Sequence, residues 1–237
     1  MKLILPESLV SAKASTTDPI VYYSRGFGLG WTFRRRIEMG LEMLPEQWKP
    51  TRILEVGYGS GIVLYNLAST GAEMHGLDLE SEPHIVNPHL QQLGVTAKLA
   101  KGSVLNMRDL YDNNFFDLVI SFSTLEHVRD ITGALQELHR VTADDGFLLV
   151  GIPAVNRFMD FAFRAIGIEN IAEHHVTCPR KLRTCIAGQS DRWLLEREQL
   201  PSWVPFSIAL YHTFLLRKKN TGASAFSEPP SKFEREC

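Results

Sequence analysis

The residues whose types and spacing could do chemistry are concentrated in one short run, Ile53-Leu54-Glu55-Val56-Gly57-Tyr58-Gly59-Ser60-Gly61. Glycines at alternate positions directly after an apolar segment let the backbone come close to a ligand and leave the next helix N-terminus open towards it. A bare glycine cluster is a weak sign, and the strand-turn-helix setting gives it weight. A dinucleotide turn of the form G-x-G-x-x-G would place its third glycine where this chain has Ile62. Here that glycine comes one residue early, and the carboxylate of Glu55 precedes the first. A negative side chain at this point suits a ligand bearing an ammonium group and opposes a pyrophosphate.

The elements that must position this turn follow from hydrophobic spacing. Ile53 to Val56 reads as a short buried strand, and the helix after the turn runs from Ile62 to Thr70, ended by Gly71. Further strands are expected over Met74 to Leu79, Val95 to Ala100, Phe116 to Phe122 and Phe147 to Ile152. A helix starting near Ser81 and Pro83 is expected to be interrupted at Pro88. Asp130 can cap a helix whose apolar face is Ile131, Leu135, Leu138 and Val141, and Asp144-Asp145-Gly146 reads as the turn into the fifth strand. Before the glycine run, Phe33, Ile37, Leu41 and Leu44 recur at helical spacing. After Pro153 come a helix over Asn156 to Ile166, another over Pro179 to Ala187, and strand-like runs over Trp193 to Gln199 and Ser207 to Leu216. This alternation predicts an α/β fold, doubly wound, with a mostly parallel sheet covered on both faces.

Composition narrows the function classes. A chain of 237 residues with 44% hydrophobic and 22% charged residues is an ordinary globular domain, which argues against a disordered or membrane-embedded protein. A formal charge of -2 gives no reason to expect a nucleic-acid partner. No run approaches the roughly 20 apolar residues of a membrane span, and the start lacks the pattern of a secretory signal. Cys178, Cys185 and Cys237 are odd in number and form no CxxC spacing, so reduced thiols in a cytoplasmic setting are the expectation.

Taken together, these motifs resemble the class I S-adenosylmethionine-dependent methyltransferases. Glu55-Val-Gly-Tyr-Gly-Ser-Gly61 resembles that family's E/D-x-G-x-G-x-G motif. The likeness continues through Gly76-Leu77-Asp78, Phe116 to Ser121, Leu125-Glu126-His127-Val128, Glu137 to Val141 and Asp145 to Leu149, and more weakly at His175-Val176-Thr177. It covers about residues 33 to 217, and several motifs in order say much more than one.

The resemblance implies a seven-stranded, Rossmann-like methyltransferase fold whose last two strands, six and seven, are antiparallel. An N-terminal arm would span 1–30, the methyltransferase domain 31–219 with a helical lid at about 154–176 after strand five, and a disordered tail 220–237. S-adenosyl-L-methionine would be the cofactor. Glu55 would orient its methionine moiety, and Gly57, Gly59 and Gly61 would give the backbone contact surface. Asp78 would hold the ribose hydroxyls and Leu79 would pack beside the adenine. Many relatives have an acidic residue where this chain has Ser103, so the adenine contact would fall to that serine or to the backbone of Val104. Ser121, with Phe122 and Ser123, falls at the end of strand four, where ligands of such sheets sit.

A sulfonium supplies an activated methyl group, so the protein's task is to place the acceptor in line and, for an oxygen or nitrogen acceptor, to remove a proton. His127, His174 and His175 are the candidate bases, because histidine titrates near neutral pH. No catalytic triad, paired carboxylates or metal-ligand spacing stands out. The helix Asn156 to Ile166 carries Arg157, Asp160 and Arg164 on one face and Phe158, Met159, Phe161 and Phe163 around the rest. It reads either as a lid packed on the core or as a wall for a lipid-like acceptor with peripheral membrane contact. Trp31 and Phe33 beside Arg34-Arg35-Arg36 suit either reading. Two other classes stay open at this point, a non-catalytic scaffold that binds S-adenosylmethionine and an NAD-dependent oxidoreductase. Retention of Glu55, the three glycines and Asp78 argues against the first, and the glycine spacing against the second.

Overall fold

Buried side chains of the central strands point alternately to the two faces and divide the molecule into two apolar layers about one sheet. The computed structural model describes residues 2–12, 29–154, 176–206 and 209–219. His174, His175, the Asn156 to Ile166 helix, Gly28 and the tail 220–237 lie outside the described residues. The strands are β1 (Arg52–Val56), β2 (Glu73–Asp78), β3 (Ala97–Lys101), β4 (Phe116–Phe122), β5 (Thr142–Pro153), β6 (Trp193–Leu200) and β7 (Tyr211–Lys218), in the order β3-β2-β1-β4-β5-β7-β6. Strands β1 to β5 pair parallel, and β7 pairs antiparallel with both β5 and β6. It follows that β6 runs with the first five strands and β7 alone opposes them. The strand order reverses between β1 and β4, which opens a crevice at their carboxyl ends.

The helices are α1 (Glu7–Val10), α2 (Leu29–Glu42), α3 (Ile62–Leu67), α4 (Pro83–Gln92), α5 (Ile131–Val141) and α6 (Pro179–Ala187). Ile53, Leu118, Ile120, Leu149 and Leu215 project to the layer that holds Ile37 and Leu41 of α2, Leu64 of α3 and Leu90 of α4. Their sequence neighbours Leu54, Val119, Leu148 and Leu216 project to the layer of Leu135 and Leu138 of α5 and Leu182 of α6. Each fully buried aliphatic side chain contributes about 1.5–3 kcal/mol, so both layers are strongly specified. Leu3 and Leu9, from the first residues of the expected arm, are buried in the α2 layer.

Among the boundaries that differ from the sequence reading, three stand out. α4 runs through Pro88 without interruption. The carbonyl that Pro88 leaves unbonded belongs to His84, one turn back, and both residues are exposed, so water satisfies it. β5 begins at Thr142, ahead of the expected turn, because Asp145 adopts φ 60° as a bulge inside the strand and the β4 register shifts there. β7 begins at Tyr211, later than Ser207. The Asp130 cap stands as expected, its carboxylate accepting from the Gly133 amide at 2.8 Å.

Candidate functional site

At the carboxyl end of β1 the chain turns through Gly57, Gly59 and Gly61 with φ of 80°, 49° and 82°. All three lie in the left-handed region that glycine alone enters without cost. Gly57 is also forced by space, since a Cβ there would lie 1.9 Å from the Thr124 Oγ1. Thr124 follows β4, so the missing side chain lets the loops after β1 and β4 close on each other at the sheet's reversal point. Tyr58, 2% exposed, drops back under the turn and donates its hydroxyl to the Ser81 carbonyl at 3.0 Å. Its burial, with Asp78 nearby, pushes the phenol pKa far up, so it stays protonated.

Asp78 ends β2 and joins the two loops. Its Oδ2 accepts from the Gly59 amide at 3.0 Å, and its Oδ1 accepts from the Glu80 and Ser81 amides, both at 2.8 Å. Leu79 beside it is 66% exposed, a large apolar side chain left on the surface where a flat ligand would cover it. Ser103 holds a local turn by accepting from the Leu105 amide at 3.2 Å, and Val104 is buried in the α5 layer.

Above the glycine turn lies a small cleft of about 70 Å³, open to solvent on one side. Glu55 and Arg36 line its polar side, and Leu3, Phe33, Ile37 and Phe122 line much of the rest. Glu55 is 4% exposed because β1 directs it into the α2 layer. Arg36 is equally buried, its guanidinium 4.4 Å from the Phe33 ring centroid and 5.1 Å from that of Tyr211. One cleft wall comes from the chain's beginning, where Asn66 of α3 accepts from the Ile4 amide at 2.7 Å and donates to the Ile4 carbonyl at 2.8 Å. The Leu3 amide donates to Glu38 at 2.9 Å, and Leu3 and Leu5 are thereby laid along the cleft.

The structure brings Glu55, Gly57 and Gly59 to this cleft, with Gly61 closing the turn and Asp78 bonded to it. It does not bring Ser121 there. That residue is fully buried and, two positions after Val119, points to the α5 layer. His127 is exposed, on a 3-10 turn at Leu125–His127. Its neighbour Glu126 faces inwards, 1% exposed, and burial raises its carboxyl to about 8, with Arg36 opposing the shift. Tyr211, at the start of β7, shares its hydroxyl with that of Ser123 at 3.1 Å. Sequence spacing does not single out Tyr58 or Tyr211, and names Arg36 only as one of three consecutive arginines. An aromatic inside a glycine run is the one local sign among them, because a ring between two glycines needs a place to go. His212, a further buried histidine, stacks on Phe206 at 4.1 Å, and burial lowers its ring to about 4.

The chain matches the model of the methyltransferase domain over residues 31–189. Among curated relatives, the ubiquinone biosynthesis O-methyltransferase of Shewanella sp. (strain ANA-3) is 30% identical over 120 residues, covering 50% of this chain and 50% of that one. The enzyme of the same name from Azorhizobium caulinodans is 29% identical over 125 residues, covering 52% of this chain and 48% of its own. The chain thus spans about half the length of the curated relatives it matches. Among solved structures, the N-methyltransferase NodS of Bradyrhizobium japonicum WM9, in complex with S-adenosyl-l-homocysteine, aligns with a TM-score of 0.61 at 16% identity, covering 90% of this chain and 99% of that one. At that identity the likeness speaks for the fold. With the domain model covering most of the sheet, the glycine turn bonded to Asp78 and the reversal point between β1 and β4, this chain belongs to the class I S-adenosylmethionine-dependent methyltransferase family.

Proposed function

We propose that the protein transfers the methyl group of S-adenosylmethionine to an oxygen of a small, apolar, hydroxylated acceptor seated where the cleft meets the carboxyl ends of β4 and β5. The observation that carries this reading is the cleft itself, in which Leu3, Phe33, Ile37 and Phe122 surround the charges of Glu55 and Arg36. Such a lining takes an apolar body with one or two polar groups. The names of the curated relatives favour oxygen over nitrogen. Lipid-like acceptors fall within the same class, and Trp31, 51% exposed on α2, suits a peripheral membrane contact.

The residues present fit the cofactor. Glu55 is a buried carboxylate suited to an ammonium group, the positive-φ glycines leave backbone rather than side chains at the turn, and Asp78 offers two carboxylate oxygens for ribose hydroxyls. When bound, the cofactor supplies a methyl group already activated on a sulfonium, so no nucleophile is required of the protein. The chain's own work is to orient both ends and exclude water, which the apolar wall does.

The test is calorimetric titration with S-adenosylmethionine, S-adenosylhomocysteine and NAD, followed by turnover of tailed phenols against tailed amines. Saturable binding of the first two ligands and methylation of the phenols is the expected outcome. Binding of NAD alone would sink the cofactor reading. Methylation of amines alone would sink the oxygen reading, and cofactor binding without turnover of any acceptor would favour a scaffold.

A further inference from the structure

One buried carboxyl at the sheet edge formed by the carboxyl ends of β4 and β5 and the start of β7 takes no part in the hydrogen bonding between the strands. Glu126 is 1% exposed, and its Oε2 has no hydrogen-bond partner among the described residues. Its main-chain carbonyl accepts from the amides of Val176 at 2.8 Å and Thr177 at 3.0 Å, and its own amide donates to its carboxyl. The residue is therefore pinned in place with one carboxyl oxygen left over. Such a group is costly unless something else uses it, and functional sites are where that cost is retained.

The surroundings are specific. Among the described residues, Arg36 from α2 and Tyr211 from β7 are the charged and titratable groups that act on the carboxyl, while His127 on its own turn is exposed. The Tyr211 hydroxyl lies 3.1 Å from that of Ser123, which is held at φ 53°. Room for the phenol exists because Gly151 of β5 has no side chain, a Cβ there lying 2.5 Å from the Tyr211 oxygen. Oxygens from three segments thus converge under Arg36, and Arg36 also lines the cleft that holds Glu55. Arg36 is the group that this cluster shares with the cleft, and Phe122, directly before Ser123, lines the cleft as well.

Resting on the hydroxyl-acceptor reading above, we propose that Glu126 is the base of the reaction and that its acceptor is a phenol, oriented by the Tyr211 and Ser123 hydroxyls and held by Arg36. The acceptor oxygen gives its proton to the Glu126 carboxylate and forms the new bond to the methyl carbon. The electron pair of the broken carbon–sulfur bond stays on sulfur. Arg36 offsets the negative charge that develops on the phenol oxygen. Burial places the Glu126 carboxyl at about 8, between an ordinary carboxylate and a phenol of about 10, which suits a base working near neutral pH. An aliphatic hydroxyl is too weak an acid for the same group, which selects the phenol.

The experiment compares two acceptors on the full chain, a catechol carrying an isoprenoid tail and the same catechol bearing a nitro group, which is already ionised near neutral pH. Glu126→Gln should lower kcat on the plain catechol by about 100-fold or more while S-adenosylhomocysteine affinity, read by calorimetry, is kept. On the nitrocatechol the variant should retain a rate near that of the unaltered protein, because no proton remains to be removed. A purely structural glutamate would lose both acceptors alike, and that result, or equal loss of neither, overturns the assignment. The unaltered protein gives a second reading that needs no variant. Its kcat on the plain catechol should rise with pH through a pKa near 8, and on the nitrocatechol should stay flat across that range. Identical profiles would overturn the proposal. Turnover of neither catechol by the unaltered protein would remove the hydroxyl reading itself and this assignment with it.

Discussion

The carboxyl ends of β1 and β2, and those of β4 and β5 with the start of β7, lie on either side of the sheet's reversal point and satisfy polar groups to different degrees. On the first side most of the hydrogen bonds are completed within the protein, the buried Ser81 Oγ being left without a partner among the described residues. Asp78 accepts three backbone amides, the Tyr58 hydroxyl reaches the Ser81 carbonyl, and the Gly57 amide reaches the Leu77 carbonyl at 2.7 Å. On the second side the Glu126 Oε2, Ser121 Oγ and Thr213 Oγ1 are buried with no partner among the described residues. A site for one invariant ligand can be built rigid in advance, whereas a site for the reacting group must keep unspent hydrogen-bonding capacity. That contrast separates holding a cofactor from acting on an acceptor.

The largest effect should come from filling the cofactor side. Gly57→Val places a branched side chain at φ 80° and against Thr124, a conflict that neither the β1 loop nor the β4 loop can relieve alone. The expected loss is about 3 kcal/mol or more of stability, read by urea denaturation, together with loss of S-adenosylmethionine binding. A variant of unchanged stability would show that this turn is not rigid, and would break the comparison.

The acceptor side should show itself in pH dependence. The Glu126 carboxyl, at about 8 in the folded protein, lies above the 4.5 of the unfolded chain, so the folded state binds the extra proton between those values. Its contribution to stability is fully present below pH 4.5 and is lost as pH rises through about 8, with a limiting slope of about 1.4 kcal/mol per pH unit. Glu126→Gln should flatten that slope in denaturation series between pH 5 and 8 and leave the cofactor side untouched. An unchanged slope would mean that the carboxyl is not the buried acid described here.

How much of this could be read from sequence follows the same division. Glu55, the glycine turn, Asp78 and the Asp130 cap were legible because each depends on residues a few positions apart. Glu126 stood in the quoted motif, but nothing local distinguishes it from His127. The 3-10 turn sends the two neighbours to opposite environments, one buried and one exposed, and the histidine attracted attention by its chemistry alone. Arg36 and Tyr211 gain their meaning only when α2 and β7 pack over β4 and β5, from positions far apart in the chain. Ser121 was placed correctly at a strand end but on the wrong face to meet the cleft, since the period of two along β4 assigns it to the α5 layer with Val119. Pro88 and Asp145 misled the boundaries because an exposed proline and a bulge aspartate look in sequence like breaks.

A smaller effect tests the prearranged hydrogen bonds directly. Asp78→Ala removes the acceptor of three amides and the oxygens proposed for the ribose, and should weaken S-adenosylmethionine binding by about 1–3 kcal/mol in calorimetry. Asp78→Asn keeps the shape, so a milder loss there than in alanine would separate geometry from charge.

The smallest effect belongs to the segment that spans the mouth of the cleft. Asn66 treats Ile4 as a neighbouring strand would, accepting from its amide and donating to its carbonyl, while its amide also reaches the Ile62 carbonyl at 2.8 Å. Because α3 begins at the end of the glycine turn, this pair ties the chain's beginning to the turn proposed to hold the cofactor. Asn66→Ala should release Leu3 and Leu5 from the cleft wall and weaken S-adenosylmethionine binding by about 1 kcal/mol, the net worth of one or two neutral hydrogen bonds. Deleting residues 2–6 should cost a similar amount. Combined with Asn66→Ala the deletion should cost little more, because the two changes remove one interaction. Additive losses would mean that Asn66 supports the glycine turn by itself and that the segment acts on the cleft independently, which would move it out of the prearranged side of the molecule.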